Sequence, residues 1–333
     1  MGMVRLRDIA SATGLSINTV SRALNGKPDV SPETRQHVLR TATRLGYRPN
    51  VVARNLRRQT SHTLGVVVPD FVNPFFAAVV QGIEAEARQR GYNIVLCNTS
   101  EDERLEAEAL NILVEQRVAG ILLTPVRTDA RAVSELCGGP IPVVLIARDC
   151  PGLGLAAVLN DDAAGAYLAV EHLCSRGRSR ILFVTAPFSN WSSLERYKGY
   201  SEALERQGVA LVPERVIQVN PTSDAAYTTV KTALEDGVDF DAVFAFSDFV
   251  AIGVLRALKE ANISVPDDVS VVGYDDIDIA GMLETPLTTV GVAKRRLGQE
   301  AARILIDRLA DSDAGGAPGR VVLSPQLIVR DSV

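Results

Sequence analysis

The 333-residue sequence contains few cysteines, few histidines and no long apolar run. Its four cysteines form no C-x-x-C pair and have no histidine at the spacing of a zinc ligand, so we predict no disulfide framework, no metal and no cofactor. No apolar run approaches the roughly 18 residues that cross a bilayer, and Asp8 interrupts the N-terminal region before the apolar core of a signal peptide could form. We therefore expect a cytoplasmic protein that does not associate with membranes. The cysteines are Cys97, Cys137, Cys150 and Cys174.

The motifs of common enzyme classes are also missing. The three histidines, His37, His62 and His172, lie in no nucleophile motif, and the sequence has no G-x-x-x-x-G-K-[ST] phosphate-binding loop. Residues 152–157 fit G-x-G-x-x-A, but they lead into an apolar strand pattern, whereas a dinucleotide site requires a strand, a glycine turn and then a helix. We therefore predict that the chain is not an enzyme.

Charge is distributed unevenly along the chain. The whole sequence carries a net charge of −5, yet residues 1–60 contain eleven Lys or Arg residues and only three acids. Residues 61–333 contain 24 basic and 37 acidic residues. This asymmetry favours a small basic domain that meets a polyanion, joined to a larger acidic domain that does not. A solvated basic helical face is the alternative that charge alone leaves open.

The basic N-terminal region has the pattern of three short helices. Gly14 is placed to end the first, Ser16 to cap a second over residues 17–24, and Ser31 to cap a third that ends at Gly46. Two short helices joined by a glycine-containing turn form a helix-turn-helix. The sequence therefore predicts an all-α helix-turn-helix head.

The second of these helices has one apolar side and one polar side. Val20 and Ala23 are expected to be buried, and the opposite face to contact base edges in the major groove. Asparagine and arginine can pair with adenine and guanine edges, and an exposed isoleucine can contact a thymine methyl group. The outward residues are Ile17, Asn18, Ser21 and Arg22, while Leu39, Ala42 and Leu45 form the predicted apolar side of the third helix.

A further short helix is predicted over residues 50–58. A helix of two turns is marginal in water, so we expect it to form only against a surface. Its arginines could hold phosphates while Leu56 wedges between base pairs from the minor groove. Alternatively, Leu56 is a linker residue covered by the rest of the protein. The arginines are Arg54, Arg57 and Arg58, and Ala53 lies beside Leu56.

Four ordered blocks of residues lie within the first sixty positions: Leu6-x-Asp8-Ile9-Ala10, Thr19-Val20-Ser21-Arg22-x-Leu24-Asn25, Val30-Ser31-x-x-Thr34-Arg35 and Tyr47-x-Pro49-Asn50-x-x-Ala53-Arg54-x-Leu56. Together they resemble the lactose-repressor (LacI) family of bacterial transcription regulators. The resemblance implies a DNA-binding domain over residues 1–47 and a hinge helix with its linker over residues 48–61. It implies that Ile17, Asn18 and Arg22 read bases and that Leu56 is the minor-groove wedge. Other residues that it places on DNA are Ser16, Thr19, Ser21, Asn25, Ser31, Thr34, Asn50 and Ala53.

From residue 62 onward, short apolar runs alternate with helical patterns. This alternation predicts an α/β body of two doubly wound parallel-sheet subdomains, whose ligand would lie in the cleft at the carboxyl ends of the strands. We expect an N-subdomain of about 62–160 plus 289–320 and a C-subdomain of about 161–288 plus 321–333. The predicted strands are 64–68, 93–97, 120–124, 143–147, 156–159, 180–185, 216–219, 242–246 and 270–273, and the predicted helices include 75–90, 105–116, 163–176, 193–207 and 249–260.

Aromatic, guanidinium, amide and carboxylate groups follow several of these strands, and such a set suits a hydroxylated ligand. Single members of the set could instead have a purely structural role: Phe75 and Phe76 could be core residues, Arg196 a surface cation and Asp248 an N-cap. The Asp275-Asp276 pair has no His or Glu at a useful spacing, which argues against a metal. The candidate effector residues are Asn73, Phe75, Phe76, Arg148, Trp191, Arg196, Ser247 and Asp275.

The body is also similar to the LacI family, and with it to the periplasmic sugar-binding-protein fold. The matching positions are Asn73-Pro74-Phe75-Phe76, Arg148, Arg196, Ser247-Asp248 and Asp275. The resemblance implies an effector-binding and dimerisation domain over 62–333 and a homodimer formed through the first subdomain. Ala147 and Val292 stand where sugar-binding members often have Asp and Gln. This departure favours a less hydroxylated or differently shaped effector, with Trp191 supplying more of the stacking surface.

These observations predict a dimeric DNA-binding transcriptional regulator, with repression as its expected action. Its two heads would read the half-sites of a pseudo-palindromic operator. A small-molecule effector, a sugar or related metabolite, would set the affinity for that operator. A solute-binding protein without a DNA role is the alternative; the body alone would favour it, and the basic head opposes it.

Overall fold

The computed structural model describes residues 4–47, 61–128, 133–135, 139, 141–310 and 319–333. The chain forms two compact units, Met1–Ser61 (the head) and His62–Val333 (the body). Within the described residues, no helix is both long enough and apolar enough to cross a membrane.

Three helices form the described part of the head: α1 (Leu6–Thr13), α2 (Ile17–Leu24) and α3 (Pro32–Leu45). The Ser16 hydroxyl accepts the Thr19 backbone N–H, which satisfies a donor that the first turn of α2 leaves without a helical partner. Gly14 ends α1 in the left-handed conformation, with φ of 70°. Each helix therefore begins or ends where the sequence pattern predicts.

The head has a small core of side chains from all three helices. Ile9, Val20 and Val38 are fully buried, and Ala23 is nearly so. The predicted burial of Val20 and Ala23 is confirmed. The placement of Leu39 in the core was wrong, because Leu39 is 46% exposed and its neighbour Val38 faces inward, about 100° around the helix.

The body begins at a strand and alternates strands with helices. A short 3₁₀ segment precedes its seventh strand and another follows its ninth. In chain order its elements are β1 (Thr63–Val68), α4 (Pro74–Gln89), β2 (Asn93–Asn98), α5 (Glu103–Glu115), β3 (Gly120–Leu123), β4 (Val143–Ile146), β5 (Ala156–Asn160), α6 (Asp162–Ser175), β6 (Ile181–Thr185), α7 (Trp191–Arg206), β7 (Val216–Gln218), α8 (Ser223–Glu235), β8 (Ala242–Ala245), α9 (Asp248–Glu260), β9 (Ser270–Asp275), β10 (Thr288–Gly291), α10 (Lys294–Ala310), β11 (Arg320–Leu323) and β12 (Gln326–Ile328).

Two six-stranded sheets form the body, in the orders β11-β5-β4-β3-β1-β2 and β12-β10-β9-β8-β6-β7. All pairings are parallel except β10 with β12. Central strands such as β3 and β4 are buried along their whole length, as expected where helices cover both faces. The predicted fold of two doubly wound subdomains is confirmed, and every strand and helix predicted for the body occurs with its ends shifted by two residues or fewer, while the helix predicted over residues 50–58 lies outside the described residues.

The chain passes from one sheet to the other three times, after β5, after β10 and after β11. The first crossing falls at residue 160, as predicted. The expected boundaries at 288/289 and 320/321 were wrong, because they cut through β10 and β11, which pair along their length with β9 and β5. These strands are only four residues long, and two of the four residues of β11 are exposed, so neither carries a strong apolar signal.

Pairs of closely packed helices cover the sheets, and one pair positions a residue of the cleft. Helices α6 and α7 pack together at Gly199, where a Cβ atom would lie 2.0 Å from the Ala163 carbonyl oxygen. Only glycine permits this approach. It brings the backbone of α7, with Arg196 one turn earlier, against the start of α6.

Candidate functional site

Helix α2 presents the predicted base-reading residues to solvent. Ile17 is 53% exposed, and Asn18 and Arg22 are exposed as well, while Val20 and Ala23 anchor the opposite face. An amide, a guanidinium and an apolar side chain on one face can address adenine, guanine and thymine edges respectively. The geometry therefore suits a recognition helix in a major groove.

Hydroxyl groups flank the N-termini of α2 and α3. The Ser16 and Thr19 hydroxyl oxygens lie 2.9 Å apart, and the Ser31 hydroxyl donates to that of Thr34 at 2.9 Å. Helix N-termini favour anions because their first N–H groups point outward. At the other end of α2, the Asn25 side-chain amide donates to the Ser21 carbonyl at 2.7 Å. Hydroxyls at two helix starts can therefore hold backbone phosphates.

Arg22 forms an ion pair with Asp29, which lies after the end of α2. Both side chains are about half exposed, so the pair is open to water and to competing partners. Three further predicted DNA contacts, Asn50, Ala53 and Leu56, lie outside the described residues.

The body holds a cavity of about 270 Å³ at the carboxyl ends of strands from both sheets. Ligands of open parallel α/β sheets bind at this position. The cavity is lined by Pro69, Asp70, Asn73, Phe75, Phe76, Ser100, Glu101, Ala147, Arg148, Asn160, Ser192, Arg196, Asn220, Pro221, Thr222, Phe246, Ser247 and Asp275.

Arg196 lies at the centre of the polar network in this cleft. Its Nε and Nη2 atoms each lie 2.9 Å from Asp162 Oδ1, and Nη1 donates to the Phe246 carbonyl. The guanidinium carbon lies 3.6 Å from the centre of the Tyr274 ring, a cation–π distance. Arg196 is 4% exposed, so the interpretation of it as a surface cation was wrong. Its planar group is fixed before any ligand arrives.

Asp275 ends β9 beside Arg196, with its Oδ1 atom 4.0 Å from Arg196 Nη2. Burial raises the pKa of Asp275 well above its usual range, against the opposing effect of Arg196. Its φ of 107° is a backbone conformation that non-glycine residues rarely adopt. Such strain concentrates at ligand sites. The other lining residues with positive φ are Ser100, Glu101 and Ala147.

The opposite wall of the cleft carries a second arginine. Arg148 Nη1 donates to Glu101 Oε2 at 2.8 Å and to the Pro125 carbonyl at 3.1 Å, and Nη2 donates to Glu101 Oε1 at 2.6 Å. This is a bidentate pair, the strongest geometry available to an arginine and a carboxylate. Arg148 is 4% exposed.

Phe75 and Phe76 form the apolar part of the lining. Both are buried in the core and both line the cavity, so the two roles weighed for them are compatible. Their rings meet edge to face with centres 4.9 Å apart. Asn73 caps α4 through its side-chain oxygen, which accepts the Phe75 N–H at 3.0 Å. The cap fixes the direction in which the two rings leave the helix start.

Two neighbouring polar residues at the start of α9 have different roles. Ser247 is the N-cap, because its hydroxyl accepts the Val250 N–H at 3.2 Å, so the assignment of that role to Asp248 was wrong. The buried Asp248 carboxylate accepts the Thr289 hydroxyl at 2.5 Å and the Ile277 N–H at 2.8 Å. Burial raises its pKa to about 7.

The structure brings seven of the eight candidate effector residues to the cavity. Trp191 is the exception: it begins α7, and its ring faces Lys198 and Arg320, while its neighbour Ser192 lines the cleft. Sequence reasoning missed Glu101 and Asn160. Asn160 had a usable signal, since it ends a predicted strand, but Glu101 follows a loop with no recognisable motif. Among the described residues, no group of three His, Cys, Asp or Glu could hold a metal.

Comparisons with known proteins agree with this division of the chain. Residues 5–50 match "Bacterial regulatory proteins, lacI family", and residues 170–333 match a periplasmic binding protein-like domain. The chain is 32% identical over 335 residues to the "HTH-type transcriptional repressor PurR" of Mannheimia succiniciproducens, covering 99% of each protein. The chain belongs to the LacI family. It is therefore a DNA-binding transcriptional regulator with an effector-binding domain, and the prediction that it is not an enzyme is confirmed by its relatives.

Solved structures of the same family resemble the whole chain. One is a Lac repressor dimer bound to operator and the anti-inducer ONPF, with 28% identity, a TM-score of 0.87 and 99% coverage of each chain. Another is a complex of the transcriptional regulator CelR with cellobiose, with 32% identity and a TM-score of 0.76, covering 99% of this chain and all of that one. This LacI-family chain thus shares its fold with a repressor bound to operator and with a regulator bound to cellobiose.

Proposed function

We propose that this LacI-family chain is a homodimeric repressor whose affinity for a pseudo-palindromic operator is set by a small molecule bound in the cleft of the body. The observation that carries the proposal is the cavity itself, in which Arg196 and Arg148 are fixed on opposite walls at the strand ends. The relatives with bound operator and bound cellobiose support a dimer and a sugar-like effector. We place the protein in the cytoplasm, where its operator would be.

In the head, we assign base reading to Ile17, Asn18 and Arg22, which share the exposed face of α2. Their side chains suit major-groove edges, and a dimer would present two such helices to two half-sites. Phosphate contacts are assigned to the hydroxyl and amide groups at the ends of α2 and α3. These are Ser16, Thr19, Ser21, Asn25, Ser31 and Thr34. Asn50, Ala53 and Leu56 remain assigned to the minor groove on sequence alone.

In the body, we assign stacking on the ligand to Phe75 and Phe76, and polar contacts to Arg148, Arg196 and Asp275. Asn73 and Ser247 line the same cavity. A ligand that touches strand ends of both sheets would favour one arrangement of the two subdomains, since the chain crosses between them at only three points. It can change operator affinity only by the difference between its affinities for the two arrangements.

The test begins with selection of the operator from random duplex DNA by the full-length protein. The selected duplex is then titrated by fluorescence anisotropy with and without sugars, sugar acids, polyols and nucleosides. A symmetric site with strongly salt-dependent affinity, shifted by at least one compound, is expected. A protein that selects no symmetric site, with or without these compounds, contradicts the proposal.

The response of the cleft is tested with Arg196→Met in the same titration. Loss of the effector response with unchanged affinity of the ligand-free protein for the operator is expected. Arg206→Met, at an exposed position of the same helix, is the matched control. A normal response in Arg196→Met would exclude Arg196 from the effector site.

A further inference from the structure

The two arginines of the cleft are already matched by carboxylates. Glu101 takes two donors of Arg148 at 2.6 and 2.8 Å, and the Glu101 side chain is itself 20% exposed. The Arg148 side chain is 5% exposed, so its charge is compensated away from bulk water. Such a bidentate pair leaves only the Arg148 Nε–H and one Nη2–H for a ligand.

The second guanidinium is matched in the same way. Arg196 Nε donates to Asp162 Oδ1, and Nη2 lies 2.9 Å from the same oxygen, in a pair whose side chains are 5% and 1% exposed. The charges of Arg148 and Arg196 are cancelled by Glu101 and Asp162, and Asp275 and Asp70 also line the cavity, so the cleft carries no net positive charge. Among the described lining residues, each arginine therefore faces a carboxylate.

One acceptor in the lining of the cavity has no donor among the described residues. Asn160 is 6% exposed, lines the cavity and has no hydrogen-bond partner for its Oδ1 atom within the described part of the chain. A buried acceptor without a donor is costly, so Asn160 calls for a ligand that donates a hydrogen bond. The phosphoryl group of a phosphate monoester dianion offers acceptors only, and inorganic HPO4²⁻ has a single O–H donor beside its acceptor oxygens.

We propose that Glu101 makes the cleft selective for uncharged, hydrogen-bond-donating effectors and excludes phosphorylated or carboxylated ones, by holding Arg148 in a bidentate ion pair. The proposal rests on the function proposed above for the cleft, and it names the class of ligand. An anion that used the two remaining N–H groups of Arg148 would lie beside the Glu101 carboxylate, and one that displaced Glu101 would leave one of two negative charges unpaired in a partly buried site. Selectivity of this kind comes from the charge that opposes the wrong ligand as much as from contacts with the right one.

The backbone supports this assignment of Glu101. Ser100 and Glu101 both have positive φ, at 51° and 57°, in the loop that follows β2. Two consecutive non-glycine residues in this conformation are unfavourable unless the surroundings hold them. The ion pair with Arg148 is the contact that they secure.

The experiment uses inorganic phosphate as the anionic probe and the full-length protein. Glu101→Gln keeps the size of the side chain and removes its charge. Phosphate binding is measured by calorimetry at constant ionic strength and by the fluorescence of Trp191, the single tryptophan, whose neighbour Ser192 lines the cavity. Glu101→Gln should bind phosphate at least tenfold more tightly than the wild type. Glu103→Gln, which neutralises an exposed acid of α5, is the matched control and should behave as the wild type.

A double variant assigns the new binding to the cleft. Glu101→Gln with Arg148→Met should lose the gained affinity, while any phosphate bound by the basic head is the same in all variants and cancels. Thermal unfolding of each variant verifies that it is folded, and Glu101→Ala repeats the test with a different side chain.

Either of two results would overturn the proposal: wild-type protein that binds phosphate through Arg148, or Glu101 variants that are folded and gain no phosphate affinity. Neither result bears on operator selection, so failure of this inference is distinguishable from failure of the regulator function. Conversely, an absent operator response would leave the phosphate measurements interpretable.

Discussion

The head and the cleft each place an arginine beside an aspartate, but the two pairs differ in their surroundings. In the head, the side chains of Arg22 and Asp29 are 46% and 49% exposed. In the cleft, those of Arg196 and Asp162 are 5% and 1% exposed. An exposed pair contributes little to stability and exchanges partners readily, whereas a buried pair is held by the cost of leaving either charge alone.

This difference matches what each region must recognise. DNA is a surface that the head approaches from outside, and under the proposed assignment Arg22 would leave Asp29 when a guanine edge offers two acceptors. A small ligand enters a cleft whose groups must already point in the right directions. Arg196 is therefore fixed by Asp162, by the Phe246 carbonyl and by the Tyr274 ring before binding.

The comparison is tested most strongly by the stability of Arg196→Met. Removal of the Arg196 guanidinium leaves Asp162 buried without a partner. The free energy of unfolding of the body should therefore fall by about 3–5 kcal/mol. Chemical denaturation followed by circular dichroism measures the change. Arg206→Met on the same helix should change stability by less than about 1 kcal/mol. A similar small change in Arg196→Met would mean that the buried pair is no more important than the exposed one.

The buried carboxyl group of Glu106 shows what burial does to an acid that forms no ion pair like that of Asp162. Glu106 on α5 is 3% exposed and accepts the Val126 N–H at 2.7 Å, and burial raises its pKa to about 7. Its pKa in the unfolded chain is near 4.5, so the folded state binds the proton more tightly. The stability linked to this proton is complete below pH 4.5 and is lost as the pH rises through 7.

The size of this effect is about 3 kcal/mol from the difference between the two pKa values. Glu106→Gln should remove this part of the decline in stability between pH 5 and pH 8, as measured by denaturation at several pH values. Glu108→Gln changes an exposed acid of the same helix and should leave the pH profile unaltered. An unchanged profile in Glu106→Gln would show that Glu106 titrates at its ordinary pKa.

On the exposed side of the comparison, Arg22→Ala should weaken binding to the selected operator by about 1–3 kcal/mol and relax the preference at one base position. The reason is the loss of a bidentate contact to a base edge. Competition between the operator and single-position variants measures both effects. Arg40→Ala, on α3, should reduce affinity less and leave the sequence preference intact. Equal loss on random DNA in Arg22→Ala would contradict base reading.

The smallest effect is expected for Asp29→Asn. Because the Arg22–Asp29 pair is open to water, the stability of the protein should change by less than about 1 kcal/mol. Asp162→Asn makes the same chemical change in the cleft and should cost several times more. Equal losses in the two variants, measured by the same denaturation experiment, would remove the distinction between the two regions.

The sequence predicted the head more completely than the cleft. Helix α2 was located residue by residue because caps and apolar spacing are local properties of the chain. The strand ends of the body were also predicted, and with them Arg196 and Asp275. The neighbours of these residues depend on the order of the strands in each sheet. No single segment of the sequence determines that order.

Two errors in the cleft show this limit. Trp191 was placed in the ligand site because a large ring after a strand suits stacking, but it begins a helix whose next residue faces inward. Glu101 was missed because its role depends on contact with Arg148, 47 residues further along the chain. Both outcomes follow from helix phase and tertiary contact, which a periodic pattern does not encode.

The three passages of the chain between the sheets have one more consequence. Three connections restrict the relative motion of the two halves of the body more than a single connection would, because each one ties a further pair of points together. A ligand in the cleft, whose lining comes from strand ends of both sheets, would restrain the motions that remain. In the proposed regulator, this restraint would connect the occupancy of the cleft to the separation of the two DNA-binding heads of the dimer.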